Sequence, residues 1–146
     1  MNQIVKRMPK AKSPCHCLNL RRASRAVTQF YDKVLEPSRL KVTQYSLLQN
    51  LKMVEALNIS ELARNMNIDR TTLNRNMKPL INVGLIRVTI GKDSRSRLVT
   101  LTEAGKAALT DAMVLWREAQ ASLEEYFGAA ELDDFERLLS KLELLV

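Results

Sequence analysis

Residues 58–101, NISELARNMNIDRTTLNRNMKPLINVGLIRVTIGKDSRSRLVTL, change their hydrophobic period twice, and those changes predict the fold. From Asn58 to Met66 the apolar residues Ile59, Leu62, Ala63 and Met66 recur every three or four positions, opposite Ser60, Glu61 and Arg64. That is the pattern of a short amphipathic helix. Asn58 can cap its first turn, and Glu61, three residues on, can return the bond. After a break at Asn67-Ile68-Asp69, a second helix opens on Asp69 as cap, carries Leu73, Met77, Leu80 and Ile81 as its stripe, and ends at Gly84. Two helices joined in this way make a helix-turn-helix. Beyond Gly84 alternation replaces the helical period, with Ile86, Val88 and Ile90 on one side and Arg87 and Thr89 on the other. A polar turn, Gly91-Lys92-Asp93-Ser94, leads to a second alternating run through Leu98, Val99, Thr100 and Leu101. Helix-turn-helix plus hairpin is a winged helix.

The inward stripe of the second helix leaves Arg70, Thr71, Thr72, Asn74, Arg75 and Lys78 outside, and none of these is acidic. Arginine can pair with a guanine edge through two bonds and asparagine with adenine, while threonine offers a hydroxyl or a methyl contact. Lys78 lies farther along, where a backbone phosphate is the expected target. An isolated basic helix face is more often simply solvated. The neighbouring hairpin changes the balance, because its loop projects Lys92, Arg95 and Arg97 beside this helix, and a minor groove concentrates the negative potential that attracts such side chains.

The stretch resembles the MarR family of bacterial transcription regulators. The matching pieces are Ile59–Ile86 and DSRSRLVTLTEAGKAAL, Asp93–Leu109, in which a D-x-R wing is followed by a Leu-Thr-x-x-Gly helix start. The second piece is the more specific, since a bare helix-turn-helix occurs in many unrelated regulators. The resemblance implies that Arg95 enters the minor groove with Asp93 holding its guanidinium. Pro79 departs from the family pattern; inside the second helix it removes one amide bond and can bend the last turn.

Charge divides the chain. Residues 1–41 carry ten Lys and Arg against two acids, residues 42–102 nine against four, and residues 103–146 four against ten. An acidic end argues for a basic DNA-facing side and a separate, charge-balanced assembly region. The expected organisation is a basic arm over 1–12, disordered in solution; a helical dimerisation region formed by 13–41 and 103–146; and a winged helix-turn-helix over 42–102. The fold class is mainly α with a small β-hairpin wing. The arm lacks the apolar run of a signal peptide and no window is long enough for a membrane span, so a cytoplasmic protein with no membrane partner is expected.

Ser13-Pro14 reads as a helix start. Leu20, Ala23, Val27, Phe30, Tyr31, Val34 and Leu35 give the helix its stripe, and Pro37 ends it. Arg21, Arg22 and Arg25, off that stripe, are candidates for phosphate contacts, for an anion pocket, or for bridges to the acidic end, the last being preferred. A helix from Thr43 to Ala56 covers the helix-turn-helix from behind. Cys15-His16-Cys17 falls in the first turn of the opening helix, where amides and the helix dipole favour a thiolate. A one-residue gap is poor disulfide geometry and zinc would need a fourth ligand. A redox or metal sensor at these three residues therefore stands beside the preferred reading, buried packing at a helix junction.

Helices from Glu103 to Tyr126 and from Glu131 to Val146 carry more apolar surface than a small winged lobe can cover. A second copy of the chain is the expected cover, giving a homodimer that binds a palindromic double-stranded operator. The function expected is a sequence-specific regulator, and by resemblance a repressor, released by a ligand or by thiol modification. Resemblance also implies a small aromatic or anionic effector between the helical region and the winged lobe, with Arg22, Arg25 and Tyr45 as liners. Two other readings share these features: an architectural protein that coats DNA without choosing a sequence, and a winged helix that binds only protein. No glycine-rich phosphate loop and a single histidine argue against an enzyme, and no cofactor is expected.

Overall fold

The computed structural model describes residues 4, 8 and 10–146. Most of the basic arm, Lys6 and Arg7 included, lies outside the described residues. In order, α1 is His16–Leu35, α2 Val42–Lys52, β1 Leu57–Asn58, α3 Ile59–Met66, α4 Arg70–Asn82, β2 Ile86–Ile90, β3 Arg97–Leu101, α5 Glu103–Phe127 and α6 Ala129–Glu143, with a 3-10 turn at Glu36–Ser38. The helix-turn-helix and hairpin therefore stand where the period changes predict them.

Several boundaries move for local reasons. The first helix starts at His16 rather than at Ser13-Pro14, because Asn19 turns back to bond both the Ser13 amide (3.0 Å) and its carbonyl (2.7 Å). Ser13 Oγ accepts the amide of Cys15 at 3.1 Å, so it shapes the approach and does not cap the helix. The second helix ends at Lys52, four residues before the expected Ala56. The chain is then drawn into a third strand, Leu57–Asn58, which pairs antiparallel with β3 through Leu57↔Val99. The sheet order is β1-β3-β2, with Ile86 opposite Leu101 and Val88 opposite Val99. The last helix runs over Ala129–Glu143, beginning directly after Gly128 in a positive-φ conformation.

One apolar cluster joins α2, α3, α4 and the sheet to the first half of α5, around Leu47, Leu48, Leu62, Leu73, Leu80, Val99 and Leu109. A second, smaller cluster, Tyr31, Val34 and Ala119, packs α1 on α5. The two meet through Leu115 and Trp116, which touch both. Asp32 on α1 also accepts the Val42 amide at 2.8 Å, tying α1 to the start of α2. α6 holds no buried residue. Phe135 stacks on Phe127 at 5.1 Å, but Leu138, Leu142 and Leu145 are exposed, as are Leu18, Leu20 and Val27 of α1. Among the described residues no helix is long and apolar enough to cross a membrane.

Candidate nucleic-acid interface

The candidate interface is built on two helix caps. Asn58 Oδ1 accepts the Glu61 amide at 2.8 Å and Glu61 Oε2 accepts the Asn58 amide at 3.1 Å, the reciprocal pair the sequence predicts. α3 closes on Asn67 in the left-handed region (φ 51°), whose amide bonds back to the carbonyls of Ala63 and Arg64. Asp69 then opens α4 by accepting the Thr72 amide at 2.7 Å. Its other oxygen accepts the Thr72 hydroxyl at 3.0 Å. Those bonds favour the ionised carboxylate and lower the Asp69 pKa; the backbone bond from Thr72 is the largest cause.

Leu73, Met77 and Leu80 lock one face of α4 into the core. The opposite face presents Arg70, Thr71, Asn74, Arg75 and Lys78, all exposed. Arg70, Asn74 and Lys78 form one i,i+4 row, with Thr71 and Arg75 forming the next. Among the described residues, none of these three cations sits in a salt bridge. Thr72 is half-buried and its hydroxyl proton is held by Asp69, so a contact with DNA is left to its methyl group and its lone pairs. Pro79 lies inside α4, beyond the exposed basic row.

The wing is a tight loop. Gly91 donates to the Ser96 carbonyl at 3.0 Å and Ser96 to the Asp93 carbonyl at 2.8 Å. A β-carbon at Gly91 would stand 2.9 Å from Ser96 Oγ, so the base of the loop suits glycine. Asp93 Oδ1 accepts the backbone amide of Arg95 at 3.1 Å. It therefore holds the backbone of the turn, and no ion pair joins it to the Arg95 guanidinium as the resemblance implies. Arg97 folds over the loop and donates from Nη1 to the carbonyls of Ser94 (3.0 Å) and Ser96 (3.3 Å). Lys92 and Arg95 remain exposed at the tip. Ser60 and Arg64 fall on the solvent face of α3, and their spacing alone points to no role. They line a cleft shared with the wing.

The residues proposed to line an effector pocket do not come together. Arg22 and Arg25 border an open cavity of about 1160 Å³ along α1, with His16, Lys10, Lys12 and Tyr126. Arg22 also reaches the Ala11 carbonyl at 3.3 Å, and among the described residues neither arginine nor Arg21 bridges to the acidic end. Tyr45 is elsewhere: 4% exposed, in the main core, it stacks on Trp116 with ring centroids 5.6 Å apart. Burial raises its phenol pKa. Cys15 and Cys17 are free thiols and exposed, contrary to the buried packing role preferred from sequence. Among the described residues the helix begins at the surface there. Among the described residues no three His, Cys, Asp or Glu side chains are grouped to hold a metal.

The MarR family model matches residues 40–96 of the chain. A transcriptional regulator of M. tuberculosis, MosR, solved in complex with DNA, shares 38% identity, with 88% of this chain and 92% of that one covered and a TM-score of 0.80. YwoH of Bacillus subtilis, an uncharacterized HTH-type transcriptional regulator, is 24% identical over 82% of this chain and 87% of its own. Bordetella bronchiseptica BpsR, whose DNA binding is regulated by 6-hydroxynicotinic acid, has the same fold at 24% identity, with 93% and 98% covered and a TM-score of 0.80.

Proposed function

The chain belongs to the MarR family of DNA-binding transcription regulators, and on that premise we propose that it is a repressor that binds a palindromic operator as a homodimer. The carrying observation is the exposed face with Arg70, Asn74, Arg75 and Lys78, its cations free of salt bridges among the described residues, on a helix whose other face is fixed in the core. In this reading α4 lies in a major groove, where Arg75 and Asn74 read base edges, Thr71 and Thr72 give secondary contacts, and Arg70 and Lys78 meet phosphates. Arg95 and Lys92 enter the flanking minor groove, on a loop shaped by Asp93 and Arg97. The protein works in the cytoplasm, where it meets its operator, and it is not an enzyme.

The uncovered apolar faces of α1 and α6 support the dimer, and the acidic α6 suits the basic α1 of a second copy. The cationic cavity beside Arg22 and Arg25 suits an aromatic acid or other small anion, and the exposed Cys15 and Cys17 offer a second trigger through thiol modification. Tyr45, being buried against Trp116, would act by holding α2 on α5 rather than by touching the effector. A trigger that favours the DNA-incompetent spacing of the lobes about a hundredfold supplies nearly 3 kcal/mol, enough for release. Selection of bound sites from a random duplex library tests the core of this reading. An inverted repeat with half-site centres about 34–36 Å apart is expected. Equal affinity for every duplex in competition would instead make the protein architectural.

A further inference from the structure

A cleft of about 310 Å³ opens between α3, the first turn of α4 and the wing. Four arginines line it: Arg64 from α3, Arg70 from α4, and Arg95 and Arg97 from the wing. Its two carboxylates are already engaged, Glu61 by the Asn58 amide and Asp93 by the Arg95 amide. Among the described residues, none of the four guanidinium groups is in a salt bridge. Such a cleft draws an anion, and its position decides which one. If α4 occupies a major groove and the wing the next minor groove, one sugar–phosphate strand divides those grooves. That strand must cross the gap between α4 and the wing, which is this cleft.

We propose that Ser60 and Arg64, on the α3 wall, grip a phosphate of that dividing strand and so set the depth and register of α4. They are positioning residues and read no base. The inference rests on the DNA-binding reading and adds a contact surface on α3 to the recognition helix and the wing. Arg64 carries the charge. Ser60 lines the same wall one turn earlier and offers a hydroxyl donor.

The test uses the full chain, one high-affinity duplex, one scrambled duplex of equal length, and the variants Arg64→Ala, Ser60→Ala and Arg75→Ala. Arg64→Ala should weaken both duplexes by the same factor, roughly five- to tenfold, and make the salt slope shallower by about one. Ser60→Ala should weaken both duplexes less and leave the slope alone. Arg75→Ala should penalise the high-affinity duplex selectively. Replacing single phosphates by methylphosphonate gives a second readout. At least one substitution should weaken the wild type and leave Arg64→Ala unaffected. Wild-type affinity and slope in Arg64→Ala, or a loss confined to the high-affinity duplex, overturns the proposal while DNA binding stands. Failure of the wild type to bind either duplex overturns both. Arg64 and Ser60 are exposed, so unchanged thermal unfolding is expected for each variant.

Discussion

The hydroxyl of Thr102 donates to the carbonyl of Gly84 at 2.6 Å, joining the two residues that bracket the whole wing. The same oxygen accepts the Gly105 amide at 3.0 Å, and the Thr102 amide donates to the Leu85 carbonyl at 3.1 Å. One threonine thus caps α5 and fastens it to the end of α4. Gly105 completes the joint: a β-carbon there would collide with the Leu85 carbonyl oxygen and press on Leu101. The obstacle is backbone, which cannot step aside as a flexible side chain can. Gly105→Ala is therefore expected to cost ~2–3 kcal/mol in denaturant unfolding, and Thr102→Val ~1–2 kcal/mol through the lost cap and bond. A Gly105→Ala variant as stable as the wild type would show that α5 can slide away from the Leu85 carbonyl.

Asp69 gives α4 a pH dependence whose sign follows from its bonds. Its folded pKa lies below its unfolded value because Thr72 bonds the carboxylate. The stabilisation is therefore fully present above the unfolded carboxylate range near pH 4 and is lost as pH falls through the lower folded value. Asp69→Asn keeps an acceptor for the Thr72 amide but cannot titrate. Unfolding midpoints measured from pH 7 to pH 2 should show wild type above Asp69→Asn at neutral pH, with the gap closing in acid. A gap that stays constant with pH would mean that Asp69 contributes through shape alone.

What the sequence made legible follows from how local each signal is. The caps at Asn58 and Asp69 act within three residues, so the residue types alone announce them. The hairpin announces itself by period. β1 does not, because two residues carry no period and their pairing depends on Val99, forty-two residues away. Tyr45 is a liner by resemblance alone; its helical spacing with Leu48 already turns it inward, and Trp116 stacks on it there. Cys15 and Cys17 read as core residues by type, yet the helix start that carries them is exposed among the described residues. In the wing, resemblance implies that Asp93 holds the Arg95 guanidinium, whereas the carboxylate takes the Arg95 amide and the side chain of Arg95 stays exposed.

That freedom separates the roles of Arg75 and Arg95. Arg75 is exposed mid-helix, where the proposed docking sets it against a base edge, whereas Arg95 stands on the wing tip. Arg75→Ala should relax specificity at one base position by ~1–3 kcal/mol, measured as competition between single-base variants of the selected site. Arg95→Ala should weaken binding and give a shallower salt slope. Arg97→Ala should act differently again, loosening the loop whose carbonyls it bonds and so raising wing mobility in amide hydrogen exchange. Wild-type affinity in either Arg75→Ala or Arg95→Ala would falsify that residue's assignment.

The assembly proposal turns on α6, because no residue of that helix is buried within one chain while Leu138, Leu142 and Leu145 face outward. A surface of this kind needs cover, and a second copy offers the matching exposed leucines and basic side chains of α1. Leu138→Glu with Leu142→Glu places two charges in that contact without touching the core of the winged lobe. Sedimentation should then show a monomer that keeps its helix content but unfolds at lower temperature. Losing the second half-site should cut affinity for the inverted repeat by ~100-fold or more, while affinity for a single half-site changes little, since linked binding events multiply. A wild type that sediments as a monomer at micromolar concentration would overturn the dimer itself, and a variant that remains dimeric would move the interface off α6 and with it the predicted spacing of the two recognition helices.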